Sequence, residues 1–307
     1  MRYALLASLF AASWSLAATA AAPNGPPQSG AGQAAARVQP RPEDSTEVVV
    51  TGTRDRDRQV RDFVGALTQA PVMGQLSRFE EAVCPEAIGL SSNQNRAVAA
   101  RIRAVAQAAG IAVGGARCRP NLFVVVTQDR EALIRRIRQN WLDPRGYPVP
   151  IPRQPGPAVA LHLEGLLDGD GIPAGVKQDE GDGRSGYYIV GSSDGSSRVR
   201  PASSPHFLLA ALVVEPDVLD GLTTMQLADY AAMRLLARTD PSRVATTPAP
   251  TILNVLEAPM GSEVPSSLTH WDLGFLRALY GSGERRYANQ QRSEMRRLLS
   301  RELERTR

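Results

Sequence analysis

A serine nucleophile is the first chemistry to test. Gly191-Ser192-Ser193-Asp194-Gly195 has G-x-S-x-G spacing. That pattern works when a strand precedes it and a helix follows, so that the serine stands on a sharp turn. The continuation Ser196-Ser197-Arg198-Val199-Arg200-Pro201 reads as a second hairpin strand, so no nucleophile elbow is expected. Asp168-Gly169-Asp170 opens like a calcium loop, but Ile172 and Pro173 stand where that loop needs an oxygen ligand and a glycine. The acidic run of Asp168, Asp170, Asp179, Glu180 and Asp182 therefore reads as a solvated loop, with loose calcium binding the alternative. Of the three histidines, His162, His206 and His270, no two are spaced to share a metal on one helix face. Each is expected to be structural, and a site assembled from all three in space stays open. No residue is assigned a catalytic or metal-binding role, and no cofactor is expected.

The two cysteines, Cys84 and Cys118, carry the remaining chemistry. An isolated pair in an exported chain most simply forms one disulfide. Closing that loop stabilises the fold by roughly 3–4 kcal/mol in the chain-entropy view. A redox pair would usually be C-x-x-C, and a metal site would need further ligands nearby.

The compartment follows from the start of the chain. Met1-Arg2-Tyr3 places a positive charge ahead of the apolar run Ala4 to Ala18, and Ala18-Thr19-Ala20 offers a small-residue cleavage site. This order reads as a secretory signal peptide over residues 1–20. The run is too short for a spanning helix, and no later segment is long and apolar enough to cross a membrane. The periplasm or full secretion is the expected location.

Composition narrows the class. The chain of 307 residues is 43% hydrophobic, enough for a real core, and only 5% aromatic, which disfavours base-stacking or sugar-binding platforms. The net charge is +4, and Lys177 is the only lysine. Arginine in excess, with abundant alanine, fits a GC-rich genome. The charges are mixed in sign along the chain, so nucleic-acid binding is not expected.

The elements that must position these residues divide the chain. Residues 21–58 read as a disordered tether containing a short β-prone segment. Residues 59–145 read as an α/β domain. Val60, Phe63, Val64 and Leu67 recur at helical spacing. Val98, Ile102, Val105 and Ala109 form one face of a helix that follows Ser91-Ser92 and stops at Gly110. Leu122 to Val126 is a buried-type strand, and Thr127 or Asp129 can cap the next helix, which carries Leu133, Ile134, Ile137 and Trp141. The Pro-rich residues 146–157 read as a stiff connector and domain boundary. Beyond it, strands are expected at Ala158 to Leu163, Tyr187 to Val190 and Phe207 to Val214. Helices are expected at about Thr223 to Arg238, Trp271 to Tyr280 and Asn289 to Arg305. In the last of these Met295, Leu298, Leu299 and Leu303 form an apolar stripe beside Arg292, Arg296, Arg297, Arg301 and Arg305. Glu294, Glu302 and Glu304 dilute its charge, so a docked helix is expected rather than a membrane-surface one.

Glu47-Val48-Val49-Val50-Thr51-Gly52-Thr53-Arg54 resembles the TonB box of outer-membrane TonB-dependent receptors. The resemblance spans eight residues, and the chain is far too short to hold the receptor barrel. It implies that Glu47, Val48, Val49, Val50 and Thr51 could join a periplasmic partner as an added strand. Main-chain hydrogen bonds would supply affinity and alternate side chains specificity. The alternative is a strand that docks on its own domain.

Residues 205–281 resemble the active-site half of a zincin metallopeptidase. Phe207 to Val214 corresponds to the edge strand, and Gln226-Leu227-Ala228-Asp229-Tyr230 stands where H-E-x-x-H would fall. The closing piece is Leu268-Thr269-His270-Trp271-Asp272, then Leu273-Gly274-Phe275-Leu276-Arg277-Ala278-Leu279-Tyr280-Gly281. It is similar to the last helix of matrixin-like and other exported zincin-like proteins. The similarity implies a zincin-like α+β domain over 158–307. Gln226 and Tyr230 cannot replace the two zinc-holding imidazoles, and Leu227 cannot deprotonate a water. An ordinary amphipathic helix, with Leu222, Met225, Met233 and Leu236 toward a core, leaves Asp229 on that same face unexplained.

The expected protein is thus a mixed α/β chain: an N-terminal α/β unit, then a zincin-like part with a mixed sheet and packed helices. Its expected role is binding or scaffolding in the envelope, without catalysis or bound metal. A periplasmic hydrolase with an unrecognised site and an accessory of a TonB-dependent uptake system are the alternatives.

Overall fold

A four-stranded mixed sheet carries the molecule. The computed structural model describes residues 53–68, 74–140, 156–167, 175–178, 188–191, 201–246, 249–259 and 261–305. The strands are β1 (Pro85–Ile88), β2 (Leu122–Val126), β3 (Ala158–Leu167) and β6 (Ser204–Val214), with β4 (Gly175–Gln178) and β5 (Tyr188–Gly191) pairing separately. The order is β1-β2-β6-β3. β1, β2 and β6 are parallel, and β3 runs antiparallel to β6 with an irregularity between Leu163 and Glu164.

The helices are α1 (Thr53–Leu67), α2 (Ser92–Ala108), α3 (Arg130–Asn140), α4 (Thr224–Leu236), α5 (His270–Gly281) and α6 (Ala288–Arg305). Among the described residues there are also three short 3-10 turns, at Pro216–Leu219, Pro241–Thr246 and Ile252–Val255.

Each element has a local cause. Ser91 caps α2 through a reciprocal pair with Gln94, which satisfies two otherwise orphaned N–H groups. The chain leaves α2 through Gly110, whose φ of 78° suits glycine. Asp129, rather than Thr127, begins α3 by accepting from the N–H of Ala132 at 2.7 Å. β2 is buried at every position because both faces of a parallel strand are covered, which explains an unbroken Leu-Phe-Val-Val-Val run. Gly89, at φ 104°, lets the chain leave β1 against the Val126 carbonyl; a Cβ there would lie 2.0 Å from that oxygen.

Three expectations change. Val50–Arg307 forms one compact unit rather than domains at 59–145 and 158–307. β1 and β2 come from before the Pro-rich stretch and β3 and β6 from after it, and all four share one sheet over one core. Next, the strand through Phe207 to Val214 is interior, between β2 and β3, and β1 and β3 are the edges. Finally, the β-prone run does not extend to Arg54, because α1 already begins at Thr53.

Three further points differ from the sequence reading: β1 was not expected, β4 lies within the stretch read as a solvated loop, and Met225, expected toward a core, is 44% exposed. The disulfide Cys84–Cys118 is formed, with Cα atoms 5.9 Å apart. It ties the approach to β1 to the loop before β2. α6 docks through Met295, Leu299 and Leu303, all buried. Among the described residues no helix is long and apolar enough to cross a membrane. The signal-like start, residues 47–51, Trp141, the acidic residues Asp168, Asp170, Asp179, Glu180 and Asp182, and Ser192 to Gly195 lie outside the described residues.

Candidate functional site

The site singled out by sequence is the first two turns of α4. Thr223 caps this helix, and Gln226 completes the reciprocal pair by accepting from the Thr223 N–H at 3.1 Å. Its Nε2 donates to the Pro265 carbonyl at 3.0 Å. Gln226 is therefore a cap and a tie to the loop before α5. Leu227 packs in the core. Tyr230 is fully buried, and its hydroxyl accepts from Arg234 Nη1 at 2.7 Å. Burial pushes the Tyr230 phenol up, and the nearby Arg234 charge partly offsets that. All three positions are consumed by internal contacts.

Asp229 is the residue that the amphipathic pattern leaves unexplained. It is 0% exposed. Its Oδ1 accepts from Arg101 Nε at 2.6 Å, and its Oδ2 accepts from Arg101 Nη2 at 3.0 Å. Oδ2 also accepts from the Leu268 N–H at 2.6 Å. The fork of Arg101 matches a carboxylate bidentately, which is the strong form of this pair. Arg101 comes from α2, so one carboxylate joins α2, α4 and the loop entering α5. The hydrogen bonds to Asp229 raise the affinity of Arg101 for its proton.

The closing motif is a second set of ties. Thr269 and Asp272 form the capping box of α5. Asp272 is buried; its Oδ1 accepts from Thr251 Oγ1 at 2.6 Å, and its Oδ2 accepts from the Ile252 N–H at 2.9 Å. Burial pushes its carboxyl up, and hydrogen bonds from Thr251, Ile252 and Thr269 oppose that. Tyr280 donates to the Leu236 carbonyl at 2.8 Å, fixing the end of α4, and accepts from the Phe79 N–H at 3.3 Å. Arg78 is buried at the end of α5, where its Nη1 donates to the carbonyls of Leu279 at 3.0 Å and Ser282 at 2.7 Å. A guanidinium at a helix C-terminus meets orphaned carbonyls and the negative end of the dipole. Glu80 and Glu284 complete its partners. Sequence reasoning did not single out Arg78 or Arg101, because nothing in the local pattern distinguishes them from the chain's other arginines.

The histidines fall on different elements: His162 on β3, His206 on β6 and His270 at the start of α5. The His162 ring lies 4.4 Å from Phe207, and its Nε2 has neither solvent nor a partner although part of the residue is accessible. Burial lowers its pKa to about 3, and the Arg238 and Arg234 charges add to that effect. His206 is buried with an unpartnered Nδ1, and burial lowers its pKa against the opposing influence of Glu81. Burial lowers the pKa of His270 also, with help from Arg56. Among the described residues no group of three or more His, Cys, Asp or Glu side chains could hold a metal ion.

No family model, curated protein or solved structure matches the chain.

Proposed function

We propose that this chain is an exported envelope protein that binds or scaffolds and does not catalyse. The observation that carries the reading is the occupancy of α4. Gln226 is spent on the cap and Pro265, Leu227 on the core, Asp229 on Arg101 and Leu268, and Tyr230 on Arg234. A zincin site needs two imidazoles one turn apart and a carboxylate free to take a proton from water. Here the carboxylate on that helix faces a guanidinium and an amide instead. The zincin-like reading rests on the motif from Leu268 to Gly281, and the envelope location on the signal-like start and the disulfide.

The test is incubation of the mature, oxidised protein with casein and with unstructured peptides, with and without added zinc. No turnover above the buffer rate is expected. Turnover that a chelator abolishes would overturn the reading.

A further inference from the structure

The Cys84–Cys118 bond has a neighbour that an inert staple does not need. Arg103, on α2, directs Nη2 at both sulfurs, 3.3 Å from Cys118 Sγ and 3.6 Å from Cys84 Sγ. Its Nη1 donates to the Gly114 carbonyl at 2.8 Å, which holds the guanidinium in place. Among the described residues no carboxylate lies within ion-pair distance of Arg103. A disulfide sulfur is neutral and a weak acceptor, whereas a thiolate is charged and a strong one. This guanidinium therefore gains far more from the reduced pair than from the oxidised one.

The two sulfurs are not equivalent. Cys84 is 3% exposed and sits at the mouth of the sheet, where its N–H donates to Asn121 Oδ1 at 2.7 Å and its carbonyl accepts from Asn121 and Leu122. Cys118 is half-buried and closes a tight turn with Gly115, whose neighbours Ala116 and Arg117 are exposed. Gly114 makes room for the bond, since a Cβ there would lie 2.6 Å from Cys118 Cβ.

We propose that Cys84–Cys118 is a redox modification site, reduced by thiol–disulfide exchange with a dithiol, with Arg103 activating the leaving group. The thiolate of the reductant attacks Cys118 Sγ, the more accessible sulfur. A new bond forms between the reductant sulfur and Cys118, and the Cys84–Cys118 bond breaks. The electron pair leaves on Cys84 Sγ as a thiolate facing Arg103. The second thiol of the reductant then displaces Cys118, so that the reductant ends as a disulfide and the protein as a dithiol. Two electrons and two protons move from reductant to protein. A cation beside a thiolate lowers its pKa and makes it a better leaving group, so the rate and the equilibrium both shift toward reduction.

The experiment follows reduction of the mature, oxidised protein by dithiothreitol, reading free thiols by alkylation and mass. It compares the wild type with Arg103→Gln and Arg103→Lys. Removal of the charge is expected to slow reduction by about threefold, the fractional Brønsted effect of about one unit in leaving-thiol pKa, and to shift the equilibrium measured above about pH 9 toward the disulfide by up to about tenfold. Arg103→Lys should restore most of the loss. Equal rates and equilibria in the wild type and Arg103→Gln would overturn the proposal. A second measurement needs no variant. The pH dependence of alkylation of the reduced wild type should give Cys84 an apparent pKa below the ordinary value of about 8.5. A Cys84 value at or above that would also overturn it, as would a glutathione adduct trapped on Cys84 instead of Cys118.

Discussion

Asp229 and Arg101 form an unequal pair, and the inequality predicts how each fails. The carboxylate is fully buried, while the Arg101 side chain is 32% exposed. Arg101→Ala leaves a buried charge with only the Leu268 amide, which should cost about 3–5 kcal/mol, the range for stripping one partner from a buried pair. Asp229→Leu lets Arg101 turn toward water and leaves one unsatisfied N–H, so it should cost less, about 1–3 kcal/mol. Urea unfolding of the two variants measures both. Equal costs would mean that Arg101 is no better solvated than Asp229. His162 supplies a pH dependence of known sign. The unfolded chain binds its proton near the ordinary pKa of about 6.5, and the folded chain only near 3. Between those values the unfolded state holds more protons, so the His162 contribution to stability falls as pH drops from about 6.5 toward 3. His162→Gln should therefore lose less stability than the wild type between pH 7 and pH 4 in parallel urea titrations. Identical losses would place the His162 ring in a solvated setting.

At the scale of elements, most helices were legible because each carries its own signals. The Val98, Ile102 and Val105 stripe, the Ser91–Gln94 pair and Gly110 together mark α2 from end to end. β2 was legible from its contiguous apolar run. β1 was not, because Pro85-Glu86-Ala87-Ile88 has little strand propensity and becomes a strand only by pairing with β2. The place of β6 between β2 and β3 was also hidden. Strand order is decided by which edges meet in space, and no residue in Phe207 to Val214 records its neighbours. The partners of Asp229 were hidden for the same reason: Arg101 lies 128 residues away along the chain. The signal that could have found the pair was a carboxylate on an otherwise apolar helix face. Such a residue requires a cation or a row of amides from elsewhere. Thr269 and Asp272 were conspicuous in the sequence as part of a resemblance, and their contacts are those of a capping box and a loop anchor.

At the scale of the whole molecule, the sheet joins segments from both sides of the proline-rich stretch, so they share one core. Proline content marks stiffness in the chain, and it does not by itself say whether the flanking segments share a sheet. The same scale holds the partner question. Deleting Glu47–Thr51 removes the run whose sequence resembles a TonB box while sparing α1, which begins at Thr53. The deletion variant should keep the wild-type circular dichroism spectrum and lose an envelope partner in a crosslinking pull-down. Retention of every partner would remove strand addition from the account.

The central claim is that α4 is an internal tie, with no metal held at the positions of Gln226 and Tyr230. The most direct measurement is the zinc content of the protein, produced with its disulfide intact and purified without chelator. The account predicts far less than one zinc per chain. One zinc per chain would contradict it and would turn attention to His162, His206 and His270 as ligands.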